Sequence, residues 1–324
     1  MERGDSRDTF LRKPARLRAN DTIGLICPAG AIPDVESVEV FIKQLATIGL
    51  NVKTGMHLLD RHGYLAGKDE DRAADVNTMF ADPMIKGILA MRGGWGCNRI
   101  LPLLDYELIR KHPKVVLGYS DITSLLTALY AKSGLITFHG PMGVSTWGSC
   151  TLNYVKCILF DGEATVLQNP PAVTASPGAA QDGIATITPG IARGRLIGGN
   201  LTVLSAMVGS DFLPDWRGKI LFLEDIREDI YRIDRMLTQL KLAGILDQIN
   251  GFIFGHCTDC NSKDLSRSFT LMEVLSDHLR PLGIPAWHGA LIGHIPDQFT
   301  LPVGVAVEIN ASKGTILMLE QAVV

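Results

Sequence analysis

Apolar positions in the first half of the chain switch between two spacings. Thr22-Ile-Gly-Leu-Ile-Cys27 is a short apolar run that predicts a strand, followed by the turn Pro28-Ala-Gly30. Pro33 and Asp34 then open a segment with Val38, Phe41, Ile42, Leu45 and Ile48 at the 3.6-residue period of a helix, and Gly49 closes it. Asn51–Thr54 predicts a second strand. Asp69–Ala81 predicts a helix with Ala73, Val76 and Phe80 inward, and Asp82-Pro83 ends it. Lys86–Met91 and Val115–Leu117 are two more strand-like runs. After Gly118, Leu125, Leu126 and Leu129 mark one face of a further helix. This strand–helix rhythm predicts a doubly wound, mostly parallel sheet covered on both faces, with functional groups beyond the carboxyl ends of its strands.

The rhythm breaks at residues 165–191, where Asn169-Pro-Pro-Ala-Val-Thr-Ala-Ser-Pro-Gly-Ala-Ala180 carries neither period and reads as a linker. Beyond it the pattern is mixed. Lys219–Glu224 and Gly251–Gly255 predict strands, Asp229–Ala243 and Phe269–Leu279 predict helices, and Val303–Ile309 with Thr315–Leu319 predicts a closing hairpin. The expected organisation is therefore α/β in two parts. It comprises a frayed tail over 1–16, a first domain over 17–164, a linker over 165–191, and a smaller mixed α/β domain over 192–324.

Composition narrows the function classes. The 324 residues are 46% hydrophobic and 20% charged, which supplies a core and argues against disorder. A net charge of −3 gives no electrostatic case for nucleic acid or an anionic membrane. No apolar run approaches a membrane span, and the polar N-terminus lacks a signal-peptide core. Of six cysteines, only Cys257-Thr-Asp-Cys260 has metal or redox spacing. His256 adds a third candidate ligand, but with no second pair the expectation is two reduced thiols, no metal, and a cytoplasmic location.

Ser120 stands on the predicted strand-to-helix elbow of Gly118-Tyr-Ser-Asp121, where a hydroxyl is exposed and the Asp121 amide can stabilise an oxyanion. The motif matches only the front of the hydrolase elbow G-x-S-x-G, since Ile122 replaces the last glycine, and in isolation a plain strand-to-helix turn with a capping serine is the better reading. A serine nucleophile needs a base held by a third group. Among eight histidines, His294 enters a turn-rich loop after Ala290-Leu-Ile-Gly293, and Glu224 ends an apolar strand from which it can orient an imidazole. Asp225 is the competing acid. The loop Met91-Arg-Gly-Gly-Trp-Gly-Cys97 lacks both dinucleotide and P-loop endings. It reads either as a tight connection or as the second oxyanion donor through Gly94, with Trp95 as a pocket wall.

Taken in order, these blocks resemble the LD-carboxypeptidases, or muramoyl-tetrapeptide carboxypeptidases. The shared marks are Pro28-Ala-Gly30, Arg92-Gly-Gly-Trp-Gly96, Gly118-Tyr-Ser-Asp121, His139-Gly-Pro141, Gly198-Gly-Asn-Leu201, Leu221-Phe-Leu-Glu-Asp225 with Tyr231–Met236, and Gly293-His294 before Leu301-Pro-Val-Gly304. Trp95 departs from the tyrosine of many relatives. The resemblance implies a Ser120–Glu224–His294 triad between two domains, oxyanion donation by the Asp121 and Gly94 amides, and no cofactor. It also implies a muropeptide substrate losing its terminal D-alanine during cell-wall recycling, and a homodimer. Arg92 and Asn200 are candidates for the substrate carboxylate by position. The rival within the same fold resembles the microcin C self-immunity peptidases, which cleave an aminoacyl or peptidyl amide from a nucleotide-like toxin. A non-catalytic two-domain binding protein is the reading from another class.

Overall fold

Fourteen strands form two sheets in the computed structural model, which describes residues 11–170, 183–260 and 265–324. The first sheet has the order β2-β1-β3-β4-β5-β12. Its strands are β1 (Thr22–Ile26), β2 (Asn51–Thr54), β3 (Ile85–Ala90), β4 (Val115–Gly118), β5 (Thr137–His139) and β12 (Leu301–Val303). All neighbours in it are parallel except β12, which runs antiparallel to β5 and pairs Leu301 with His139. The doubly wound, mostly parallel N-terminal sheet is as expected. The central strands β1, β3 and β4 are almost wholly buried, as helices on both faces require, while the edge strand β2 is largely exposed.

The helices follow the apolar period. Val35–Thr47 starts where the Asp34 side chain accepts the Ser37 amide at 2.7 Å, and it buries Val38, Phe41 and Leu45. Burying a side chain such as Phe41 contributes roughly 1.5–3 kcal/mol. Asp69–Ala81 forms with the expected bounds, but its buried face also includes Arg72 and Asp75, which no apolar pattern could reveal.

The second sheet has the order β6-β14-β13-β8-β9-β10-β11-β7. Its strands are β6 (Val166–Gln168), β7 (Ala185–Thr188), β8 (Ile191–Asn200), β9 (Ile220–Ile226), β10 (Gly251–Thr258), β11 (Ala286–His288), β13 (Ala306–Asn310) and β14 (Thr315–Met318). Its parallel centre, β8 to β11, is flanked by antiparallel strands on both sides. Trp287, Phe222, Phe252 and Phe254 fill its core.

Several expectations are corrected. Residues 11–16 are not a frayed tail: Arg12 bridges to Leu135 and the Arg16 amide donates to the Val324 carbonyl at 2.9 Å. Residues 1–10 lie outside the described residues, as do 171–182 of the segment read as a linker. The ends of that segment are ordered as β6 and β7, on opposite edges of the second sheet. Strand β8, the longest, went unrecognised because glycine breaks its apolar run. Gly198 is there because the backbones touch: a β-carbon on it would lie 1.8 Å from the Phe222 carbonyl oxygen. Val303 belongs to β12 rather than to the closing hairpin. Cys257 and Cys260, expected as thiols, are joined in a disulfide.

Candidate active site

The site lies where the carboxyl ends of β4, β8, β9 and β10 meet. Strand β4 ends at Gly118, Tyr119 continues extended, and Ser120 turns the chain with φ +60°, a left-handed conformation that a serine adopts only at a cost. A single 3₁₀ turn, Ser120–Ile122, leads into the helix Thr123–Ser133. The elbow is as expected, although the Ser120 side chain caps nothing. The glycine-rich loop after β3 packs directly on it: a β-carbon on Gly93 would lie 2.9 Å from Ser120 Cβ and 3.1 Å from the Asp121 amide nitrogen. Gly94, with φ +105°, is the next residue of that loop.

The acid comes from β9. In the parallel register Asn200 of β8 stands opposite Glu224. Glu224 is fully buried and its two oxygens are both used: Oε1 accepts from Asn200 Nδ2 at 3.1 Å, and Oε2 bonds His294 Nδ1 at 2.9 Å. With Glu224 accepting, Nδ1 carries the imidazole proton and Nε2 is left as an acceptor. His294 is held from two further directions. Thr258 Oγ1 donates to its carbonyl at 2.9 Å, and the Tyr119 ring lies 4.8 Å from its own. Gly293 precedes it with φ +116°, and a β-carbon there would lie 2.8 Å from Glu224 Oε2, so only glycine lets the loop pass this close. Since Tyr119 adjoins Ser120, its contact brings the elbow and the Glu224–His294 pair into one layer.

Asp225, the competing acid, faces elsewhere. It accepts from the Thr202 amide and hydroxyl, the Ile226 amide and Asn200 Nδ2. Burial, and then the charge of Glu224, push its carboxyl up to about 6. Asn200 differs from its expected role as a substrate ligand. It is buried, its Nδ2 serves both carboxylates, its Oδ1 caps Val203 at 3.1 Å, and its amide donates to Thr123 Oγ1 at 2.9 Å. It thus joins the acid to the elbow helix.

Arg92 donates to the Ala31 carbonyl at 2.8 Å and lies against Gly30 and Gly94, beside the elbow loop. Trp95 is half exposed and packs edge-on against the exposed Tyr64, with ring centroids 6.0 Å apart. His139, at the end of β5, was quoted only as part of a motif. It is buried against Phe222 and near Tyr119, and burial lowers it to about 4, so its ring is neutral at ordinary pH. Tyr119 and Thr258 are the site residues that sequence reasoning did not single out. Tyr119 lay inside a recognised motif, whereas Thr258 had no sequence signal, because its contact is set by a loop 36 residues away.

The LD-carboxypeptidase N-terminal domain matches residues 23–140, and the LD-carboxypeptidase C-terminal domain matches residues 193–309. A Bacillus subtilis protein named "Probable murein peptide carboxypeptidase" is 39% identical over 311 residues, covering 94% of each chain. The solved structure of MccF in complex with glutamyl sulfamoyl guanosine superposes with a TM-score of 0.86 at 29% identity, over 96% of this chain and 99% of that one. The muramoyltetrapeptide carboxypeptidase of Oxalobacter formigenes superposes with a TM-score of 0.76 at 31% identity, over 91% and 97%. With both halves of the molecule matched in order, the chain belongs to the LD-carboxypeptidase family.

Proposed function

We propose that the protein is a cytoplasmic serine carboxypeptidase that hydrolyses an L,D-peptide bond and releases the terminal D-alanine of murein tetrapeptides. The observation that carries this reading is the buried Glu224 bonded to His294 Nδ1 on the layer shared with the Ser120 elbow. In this mechanism His294 Nε2 takes the Ser120 proton as Oγ attacks the carbonyl next to D-alanine. The oxyanion is met by the amides of Asp121 and Gly94, and Glu224 stabilises the imidazolium. His294 then protonates the leaving amine, and water hydrolyses the acyl-enzyme by the reverse proton path. Every step uses groups of this chain, and none needs a metal. Arg92 is the cation placed to meet the substrate carboxylate, and Trp95 with Tyr64 forms an aromatic wall. The family resemblance carries with it a homodimer.

The test is incubation with a murein tetrapeptide, followed by mass spectrometry for gain of water and loss of one alanine. Unchanged substrate at high enzyme concentration would refute the reading. The close superposition on MccF with a sulfamoyl nucleoside supports a second reading, cleavage of an aminoacyl or peptidyl nucleotide amide. Parallel assays separate them by which substrate is turned over at the higher kcat/KM.

A further inference from the structure

Asp121 enters the proposed mechanism only through its backbone amide, yet its side chain is one of the most enclosed carboxylates in the molecule, at 2% exposure. It points away from the elbow into the glycine-rich loop. Its Oδ2 accepts the Cys97 amide at 2.8 Å, and the neighbouring Gly96 amide favours its charged form. The other side of that loop is held by Arg72, whose guanidinium is itself buried. Arg72 Nη1 donates to the Gly96 carbonyl at 2.9 Å and to the Pro28 carbonyl, while Nη2 reaches Asp69. The loop is therefore gripped at the Gly96 carbonyl and the Cys97 amide, two and three residues from Gly94. The Pro28 turn is tied in as well, since the Gly30 amide donates to the Gly93 carbonyl at 3.0 Å.

We infer that the Asp121 carboxylate is a positioning residue: in its ionised form it holds the Cys97 amide, and with Arg72 on the Gly96 carbonyl it fixes the Gly94 amide against Ser120 as an oxyanion donor. The inference rests on the serine mechanism proposed above. Its chemistry is that of acceptor count. An ionised carboxylate presents only acceptors to the Cys97 amide and its Gly96 neighbour, whereas a protonated one, or a carboxamide, can turn a donor toward them and loosen the loop. The groups facing Asp121 are few. Arg72 of the helix Asp69–Ala81 supplies the positive charge. The Cys97 thiol, at the start of Cys97–Ile100, stays neutral because burial raises it well above its usual range. Ser124 of the helix Thr123–Ser133 donates to the Asp121 carbonyl rather than to the carboxylate. Burial outweighs Arg72 and the amides, and the Asp121 carboxyl is pushed up to about 6. The grip consequently weakens in mild acid.

The experiment measures the rate at which a fluorophosphonate labels Ser120, because the tetrahedral adduct places an oxygen in the same hole without needing a peptide. Full-length wild type, Asp121→Asn and Asp121→Ser are compared, with thermal melting as the control for folding. Removing an oxyanion donor costs ~10²–10³-fold, so a loosened loop is expected to slow labelling by roughly 10–100-fold in either folded variant. As pH falls through about 6, the wild-type advantage over the variants should shrink toward unity, because the wild-type carboxylate is itself protonated. A folded variant that labels at the wild-type rate above pH 7, or a wild-type-to-variant ratio that stays constant across pH 6, overturns the inference. Should neither variant fold, Arg72→Lys, which loosens the same loop at the Gly96 carbonyl, decides, and labelling at the wild-type rate in that variant overturns the inference. Slowed labelling in a protein that leaves murein tetrapeptide intact would sink the proposed substrate but not this role. Normal labelling of Asp121→Asn beside active peptide cleavage would do the reverse.

Discussion

Replacing Glu224 with glutamine tests the core of the proposed site with a change of one atom. The two carboxylate oxygens receive two donors, Asn200 Nδ2 at 3.1 Å and His294 Nδ1 at 2.9 Å. A carboxamide has one oxygen to offer. If that oxygen serves His294, two amide nitrogens face each other at Asn200, and a buried donor left unpaired costs ~1–3 kcal/mol. If it serves Asn200, the imidazole must accept at Nδ1, and Nε2 then carries a proton and cannot act as base. A preference of ~2 kcal/mol for the second arrangement leaves only about 3% of molecules with a competent base, given ~1.4 kcal/mol per decade. The lost charge adds to this. An ion pair at about 4 Å with an effective dielectric near 20 is worth ~4 kcal/mol, part of which stabilises the imidazolium formed during attack. The combined expectation is a fall in kcat of ~10³–10⁴-fold, close to the ~10⁴-fold effect of the equivalent exchange in serine proteases. KM should change little, because the Glu224 side chain is buried away from any substrate. Stopped assays of alanine release, with melting curves to show that the variant folds, provide the measurement. A kcat within tenfold of wild type, or a loss expressed wholly in KM, would refute the assignment of Glu224 as orienter.

Four further outcomes follow from the same geometry. Ser120→Ala should abolish turnover and fluorophosphonate labelling while melting within a few degrees of wild type, since Ser120 contributes little to the core; retained hydrolysis would move the nucleophile elsewhere. Asp225→Asn should act on stability more than on kcat. Its carboxyl is pushed up to about 6, so the fold takes up a proton before the unfolded chain does. The resulting stabilisation, up to roughly 3 kcal/mol at ~1.4 kcal/mol per pH unit, is complete below about pH 4 and lost as pH rises through 6. Wild type should therefore gain melting temperature relative to Asp225→Asn as pH falls from 7 to 4, and parallel curves would contradict the burial of an ionisable group there. Gly293→Ala should lower kcat at least 100-fold through displacement of His294, because the added carbon falls 2.8 Å from Glu224 Oε2; near-normal kinetics would show that the loop has room. Chelators should leave the rate unchanged, and inactivation reversed by zinc would rule out the serine mechanism.

Sequence patterning disclosed the N-terminal sheet well because its strands are short apolar runs and its helices carry one apolar face each, as in Val35–Thr47. The elbow at Ser120 was legible for the same reason, whereas Glu224 lies inside β9 near its carboxyl end, because the strand runs on through Asp225 to Ile226. Patterning failed where contacts rather than polarity set the structure. Strand β8 carries Gly194, Gly198 and Gly199 because neighbouring atoms come too close for side chains, so it did not read as a strand. Arg72 is a charged residue on a buried helix face, explained only by the carbonyls of Pro28 and Gly96 that it binds. Asn200 was noticed, but its motif position said nothing about direction, and the register opposite Glu224 turns it inward.

Strand β12 also constrains how this molecule can open. The chain passes from β11 in the second sheet, through Gly293 and His294, and then adds Leu301–Val303 to the edge of the first. The histidine thus rides on a strap sewn into both halves, not on one jaw of a hinge. Wide separation of the halves would peel β12 from β5 and expose a bare sheet edge of the kind that invites aggregation. Under the proposed function, substrate entry is then expected to come from small loop adjustments rather than from clamshell motion. For the same reason, cutting the gene between the halves should yield fragments that are insoluble apart and that regain activity only when refolded together.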